Sequence, residues 1–244
     1  MEGYRRVRGE EFERRMERFK EILGTYDRIE SFLEDEEVLT LVLQMRFIAI
    51  KEIDDDPDIL RDTHKIMNDF YEDLAKRSEF VDLLPYVKNY LWPLMEESVN
   101  LMYGIQVLSA EDVELFTNIS YKDFGILFSM GFGVPIDFSE FVGILKHSLQ
   151  LEALILILFL LLEDKISLNP GALTEAKELF KTIVQRHYVG FRYILGRYNT
   201  PRSVSLSWDW EGTIQEDSSS VDVQHELYRW RPENRSSQPL TPLS

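Results

Sequence analysis

Ala153 to Leu162 are ten apolar residues without a break, and any fold of this chain has to place them. The run falls short of the roughly 20 residues that cross a bilayer. Gln150 and Glu152 lie just before it, and Glu163 and Asp164 follow at once. An apolar stretch so closely bounded is expected to be a buried core helix with other helices on every side. The rest of the chain can supply them, because apolar residues recur at a period near 3.6 from 10 to 198 and strict alternation is scarce. The fold class that follows is all-α: a multi-helix bundle around a very apolar central helix, with a largely irregular C-terminal tail.

Local signals divide the bundle. Phe12, Met16, Phe19, Leu23, Tyr26 and Leu33 form the stripe of a first helix, interrupted only by Gly24. The acidic run Glu34 to Glu37 suits the positive end of a second helix dipole. Beyond it, Val38, Leu39, Leu41, Val42, Met45, Phe47 and Ile48 put apolar residues nearly all round. Asp56-Pro57 reads as a cap followed by a first-turn proline, opening a third helix with Leu60, His64, Met67, Tyr71 and Leu74 on one face. Pro85 fits a helix start, whereas Pro93 removes a hydrogen bond to the Asn89 carbonyl and predicts a kink. Ser109 and its following acids mark another start, with Leu115 and Phe116 as the apolar side. The glycines and aromatics from Tyr121 to Pro135 read as a loop, and Asp137 restarts a helix. Asn169-Pro170-Gly171 reads as a breaker, with Thr174 capping a last long helix striped by Ala176, Phe180, Ile183, His187, Phe191, Ile194 and Tyr198.

Composition changes near Asn199-Thr200-Pro201. This gives a helical domain over 1–199 and an extended or disordered tail over 200–244, rich in Ser and Pro and without Lys. The chain opens on Met1-Glu2-Gly3-Tyr4 and then arginines, with no apolar leader, so it reads as soluble and cytoplasmic. It has no cysteine, four histidines and a formal net charge of −16. Disulfides, thiolate metal sites and a thiol nucleophile are thereby excluded. The negative charge works against binding a phosphate backbone.

The search for chemistry returns mostly exclusions. Gly131-Phe132-Gly133 lacks both the third glycine and the preceding strand of a dinucleotide site. Asp54, Asp56 and Asp58 have calcium-loop spacing, but Ile59 and Lys65 occupy the positions that require Gly and Glu. No Glu-x-x-His pair occurs, so a carboxylate-bridged metal centre is not expected in the bundle. The expectation is no metal and no cofactor. The weak catalytic candidates are Arg61 with His64 and Arg186 with His187, the pairs a small all-α hydrolase of nucleotide or RNA would use. His147, beside Lys146 and near Glu152, is a weaker case. The basic run Lys177, Lys181, Arg186, Arg192, Arg197 and Arg202 is expected to find acidic partners on the body.

Three of the four tryptophans, Trp208, Trp210 and Trp230, lie beyond residue 200. Segments without a core seldom keep such residues, so burial is expected, either on the body or in a partner. Val204 to Trp210 alternates weakly and suits a strand added to an exposed edge. Val223, Leu227 and Trp230 share one face of a possible docking helix. The leading expectation is therefore a non-enzymatic interaction or scaffold protein. It would bind another protein, or a second copy of itself, through Trp208, Trp210, Val223, Leu227 and Trp230, or through a groove near Pro93 and 121–135. A third reading is an acidic decoy of nucleic acid.

Overall fold

The computed structural model describes residues 9–54, 63–96, 110–131 and 138–198, together with the backbone of 206–208 and 214–216. Among them are nine α-helices: α1 (Glu10–Leu23), α2 (Ile29–Glu34), α3 (Glu36–Asp54), α4 (Thr63–Ala75), α5 (Leu84–Tyr86), α6 (Ala110–Thr117), α7 (Tyr121–Gly131), α8 (Phe138–Leu162) and α9 (Pro170–Tyr198). A 3₁₀ segment (Ser78–Leu83) leads into α5, and a π segment (Val87–Leu91) follows it. Two short strands, β1 (Leu206–Trp208) and β2 (Ile214–Glu216), pair antiparallel.

Helix α8 is the centre of the bundle. It packs on α3, α7, α9 and α2. Leu149, Leu151, Ala153, Leu154 and Leu156 through Leu162 are all buried, so the helix is enclosed on nearly every side. Its apolar character extends further than the run of ten. The segment Phe141–Leu162 has a length and composition compatible with crossing a membrane, and 67% of its most apolar stretch is buried inside the protein. Helix α3 is similarly enclosed, through Val38, Leu39, Leu41, Val42, Leu43, Met45, Phe47 and Ile48. The all-α bundle around an apolar central helix is the architecture expected from the sequence.

The C-terminus of α8 is closed in detail. Asp164 adopts a left-handed backbone (φ 55°). The Lys165 N–H donates to the Leu160 carbonyl at 2.9 Å and the Asp164 N–H to that of Leu161 at 3.1 Å. This is the Schellman arrangement, with Asp where Gly is usual. Arg77 then donates to the carbonyls of Leu161 (3.1 Å) and Leu162 (2.8 Å) and to Asp164 Oδ1 (2.9 Å). A cation at this end also complements the helix dipole.

Five local expectations are corrected. The first stripe is two helices, because α1 stops at Leu23 before Gly24, and Leu33 belongs to α2. The stretch from Tyr121, read as a loop, is helix α7 as far as Gly131. Gly125 faces α8, where a Cβ at that position would meet the Val142 Cγ2 at 3.4 Å, an ordinary contact distance. Asn169-Pro170 starts α9 where a break was expected, with Asn169 Oδ1 accepting the Ala172 N–H at 2.8 Å and proline in the first turn. Thr174 is inside the helix, its hydroxyl donating to the Pro170 carbonyl at 2.8 Å. Finally, Leu115 is exposed, and Phe116 alone carries the buried side of that pair.

The irregularity at Pro93 takes a specific form. The Trp92 N–H reaches back five residues to the Val87 carbonyl, so the turn before the proline is a π turn. Widening that turn accommodates a residue that cannot donate, and π segments commonly occur at such breaks. The Asp56-Pro57 start signal lies outside the described residues.

Candidate functional site

One polar cluster within the bundle lies where α3 packs on α8, with His187 of α9 beside it. Arg46 of α3 grips Glu152 of α8 with its Nε, at 2.8 and 3.1 Å from the two carboxylate oxygens. Its second guanidinium nitrogen donates to Ser148 Oγ at 2.7 Å. Nearer the start of α8, Lys146 pairs with Glu34 of α2, and Gln150 Nε2 donates to the same carboxylate at 2.9 Å and to the Leu33 carbonyl at 3.2 Å. Two partly buried imidazoles flank these pairs, His147 from α8 and His187 from α9.

Both imidazoles are held in the neutral form. Burial depresses His147, and the charges of Arg186 and Lys146 push it further down against an opposing contribution from Glu34. Burial, with Arg46 and His147 nearby, lowers His187 from 6.5 to about 4. Protonation would set a charge in a poorly solvated place already rich in cations. Each ring keeps one donor and one acceptor at neutral pH. Neither has a hydrogen bond to a described residue, so no carboxylate orients either ring as a triad would require.

Arg186 and His187 lie on different sides of α9. Arg186 is exposed and forms no ion pair among the described residues, while its neighbour His187 turns inward and packs near Phe191, with ring centroids 6.2 Å apart. Adjacent helical residues face different directions, and adjacency in sequence does not make a working pair. His64 is exposed on α4, off the buried face formed by Met67, Phe70 and Leu74. Arg61 lies outside the described residues. The set that does converge, Arg46, Ser148, Glu152 and His147 beside His187, carried a faint sequence signal: charged and hydroxyl residues recurring on two otherwise apolar helices. Among the described residues no group of three or more His, Asp or Glu could hold a metal ion.

The basic run on α9 divides in two. Lys177 and Lys181 each lie 2.7 Å from a carboxylate oxygen of Asp82, and Lys181 also reaches Glu178. That half met the acidic partners the sequence suggested. Arg186 instead heads an outer face that continues at i+3 and i+7 with Val189 and Tyr193, which are 64% and 60% exposed. Elsewhere among the described residues, Val81, Met95, Leu115 of α6 and Ile126 and Leu127 of α7 are also exposed.

The tail contributes a hairpin. Leu206 pairs with Glu216, Ser207 with Gln215 and Trp208 with Ile214. The expected partner for this strand was an external sheet edge, and the structure pairs it within the tail. In this register Leu206, Trp208, Ile214 and Glu216 take positions on one side of the ladder, and Ser207 and Gln215 on the other. Trp210, Val223, Leu227 and Trp230 lie outside the described residues. Comparison of the chain with protein-family models, with curated proteins and with solved structures finds no match.

Proposed function

We propose that this chain is a non-enzymatic helical interaction protein that binds another protein through its C-terminal tail. The observation that carries the reading is the hairpin register. Two strands of three residues put Leu206, Trp208 and Ile214 on one side of the ladder, with Glu216 as the one charged residue there. A two-stranded ribbon is too small to bury such a face alone. A face of this kind gains stability by being covered, and a tryptophan is the residue type most often found anchoring protein contacts.

The experiment uses the full-length chain as bait in a lysate of its native source, against a Trp208→Ser/Ile214→Ser variant. Recovery by mass spectrometry is expected to fall at least tenfold with the variant, while helical circular dichroism stays the same. Equal recovery by both baits overturns the tail as the binding element and moves the contact to the helical body. There, Leu115, Ile126 and Leu127, on the neighbouring helices α6 and α7, are among the exposed apolar residues and are substituted next.

A second reading, a small hydrolase, has one observation in its favour: His147 and His187 lie close enough at the α8–α9 junction for each to feel charges in the same cluster. Turnover of a nucleotide or RNA substrate that is lost in His147→Ala and His187→Ala, with folding retained, would favour it. The acidic decoy has less support. Of the pair Glu163-Asp164, Glu163 is almost fully buried.

A further inference from the structure

Four residues of α9 form an uncovered stripe on its outer face. Arg186, Val189, Gly190 and Tyr193 stand at i, i+3, i+4 and i+7, so they lie one above another along two turns of the helix. Val189 and Tyr193 are the two most exposed of the large apolar residues described. Arg186 is exposed and forms no ion pair among the described residues. A Cβ placed on Gly190 would meet nothing within 4 Å, so the backbone of the helix is open to close approach there.

The stripe is complementary to itself turned end for end. When two copies are set antiparallel about a two-fold axis that passes between Val189 and Gly190, each Val189 stands opposite Gly190 of the second copy. Each Arg186 then stands opposite Tyr193 of the second copy. A branched side chain over a residue that has none lets two helix axes close to about 8 Å. A guanidinium over a tyrosine ring is a cation–π pair. Helix α9 already makes one such contact within the chain, where Arg192 lies 5.9 Å from the centre of the Tyr188 ring. A parallel arrangement would instead set Arg186 against Arg186 and leave both rings without a cation.

Charge also selects this face. Each copy carries a formal net charge of −16, so two copies repel wherever their carboxylates meet. From Leu179 to Tyr193 the helix has no carboxylate.

We propose that the Arg186–Val189–Gly190–Tyr193 stripe is the contact of a two-fold symmetric dimer, in which α9 of one chain packs antiparallel on α9 of a second copy. A closed two-fold contact uses the same patch on both chains, as this one does. It spans only two turns of each helix, which makes the dimer a weak and exchanging one. The inference goes beyond the tail-binding reading and does not depend on it, because its test contains no other protein.

Sedimentation equilibrium of the full-length chain, from micromolar to near-millimolar concentration, is expected to show a monomer–dimer equilibrium. Val189→Asp places a carboxylate from each copy close to the axis and is expected to raise the dissociation constant at least tenfold. Its urea transition is compared with that of the parent, so that misfolding is recognised. The arrangement is read separately with cysteines, of which the chain has none. Arg186→Cys chains mixed with Tyr193→Cys chains and treated with a short bismaleimide are expected to give the mixed covalent dimer at least tenfold faster than either variant alone gives its own. A monomer at every concentration overturns the proposal, as does a dimer that a folded Val189→Asp variant leaves unchanged. Faster bridging of Arg186→Cys to itself shows parallel packing and overturns it too. Tail capture is read in its own assay, so either proposal can fail without the other.

Discussion

Protonating His187 in the folded chain sets a new positive charge beside Arg46 and His147, in a place largely withdrawn from water. An unfolded chain has no such difficulty and takes up the proton near pH 6.5. Above that pH both states are neutral at this residue and folding is unaffected. As pH falls below 6.5 the unfolded state binds a proton that the folded state refuses until about pH 4, so stability is lost across that interval. His147, depressed by burial, Arg186 and Lys146, acts in the same direction, and Glu34 offsets part of it. The loss from pH 7 to pH 4.5 is expected to be about 2 kcal/mol for His187 alone. Urea denaturation at the two pH values measures it. His187→Leu should flatten that part of the profile, and an unchanged profile would show that the ring is solvated in the fold. Asp82 acts at lower pH. Burial would raise its pKa, but hydrogen bonds from Lys177 and Lys181 outweigh that and hold it below the usual value. Its contribution is present above the unfolded carboxylate pKa and disappears as the pH drops through the folded one.

At the scale of elements, α2 shows how a short helix depends on another. It has six residues and no side-chain cap of its own. Glu175 of α9 supplies the missing acceptor, taking the N–H of Ile29 at 3.1 Å and of Glu30 at 3.3 Å, with Arg28 at 3.4 Å. An anion at a helix N-terminus satisfies free donors and complements the dipole. Glu175→Ala is expected to cost about 1 kcal/mol by urea denaturation. Glu175→Gln should retain part of that, since its amide oxygen still accepts. This contact could not be read from the sequence, because residues 28–30 and 175 are linked only by tertiary packing. The legible elements were those whose signal is local: the period of α3, the apolar run of α8 and the α9 stripe through Ala176, Phe180 and Ile183. Asn169-Pro170 was legible too, but stop and start signals share the same residues, and only the Ala172 N–H decides between them. At α7 the glycine content suggested a loop, whereas Gly125 lies inside a helix that packs on α8. The junction of Arg46, Glu152, His147 and His187 was hardly visible, since its members come from three helices whose faces meet only in the folded chain.

For the whole molecule, the question that organises the rest is whether α8 is the core of a water-soluble bundle or a helix whose neighbours are lipid. The apolar segment Phe141–Leu162 suits either by length and composition. In the structure α8 touches helices on several sides, Arg46 holds Glu152 at its middle, and Arg77 holds the Leu161 and Leu162 carbonyls at its C-terminal end. The two possibilities differ in what a small side chain costs. Leu154 is 1% exposed, and removing its branched end in a packed protein interior leaves a cavity. Leu154→Ala should then destabilise the chain by about 2–5 kcal/mol. Leu127, 46% exposed on α7, has little packing to lose, and Leu127→Ser should stay within about 0.5 kcal/mol of the parent. Both are measured by urea denaturation in buffer without detergent. A cooperative transition with that order of costs makes α8 the buried core. A chain that stays in solution only with detergent, or that tolerates Leu154→Ala as easily as Leu127→Ser, would place the helix against lipid instead.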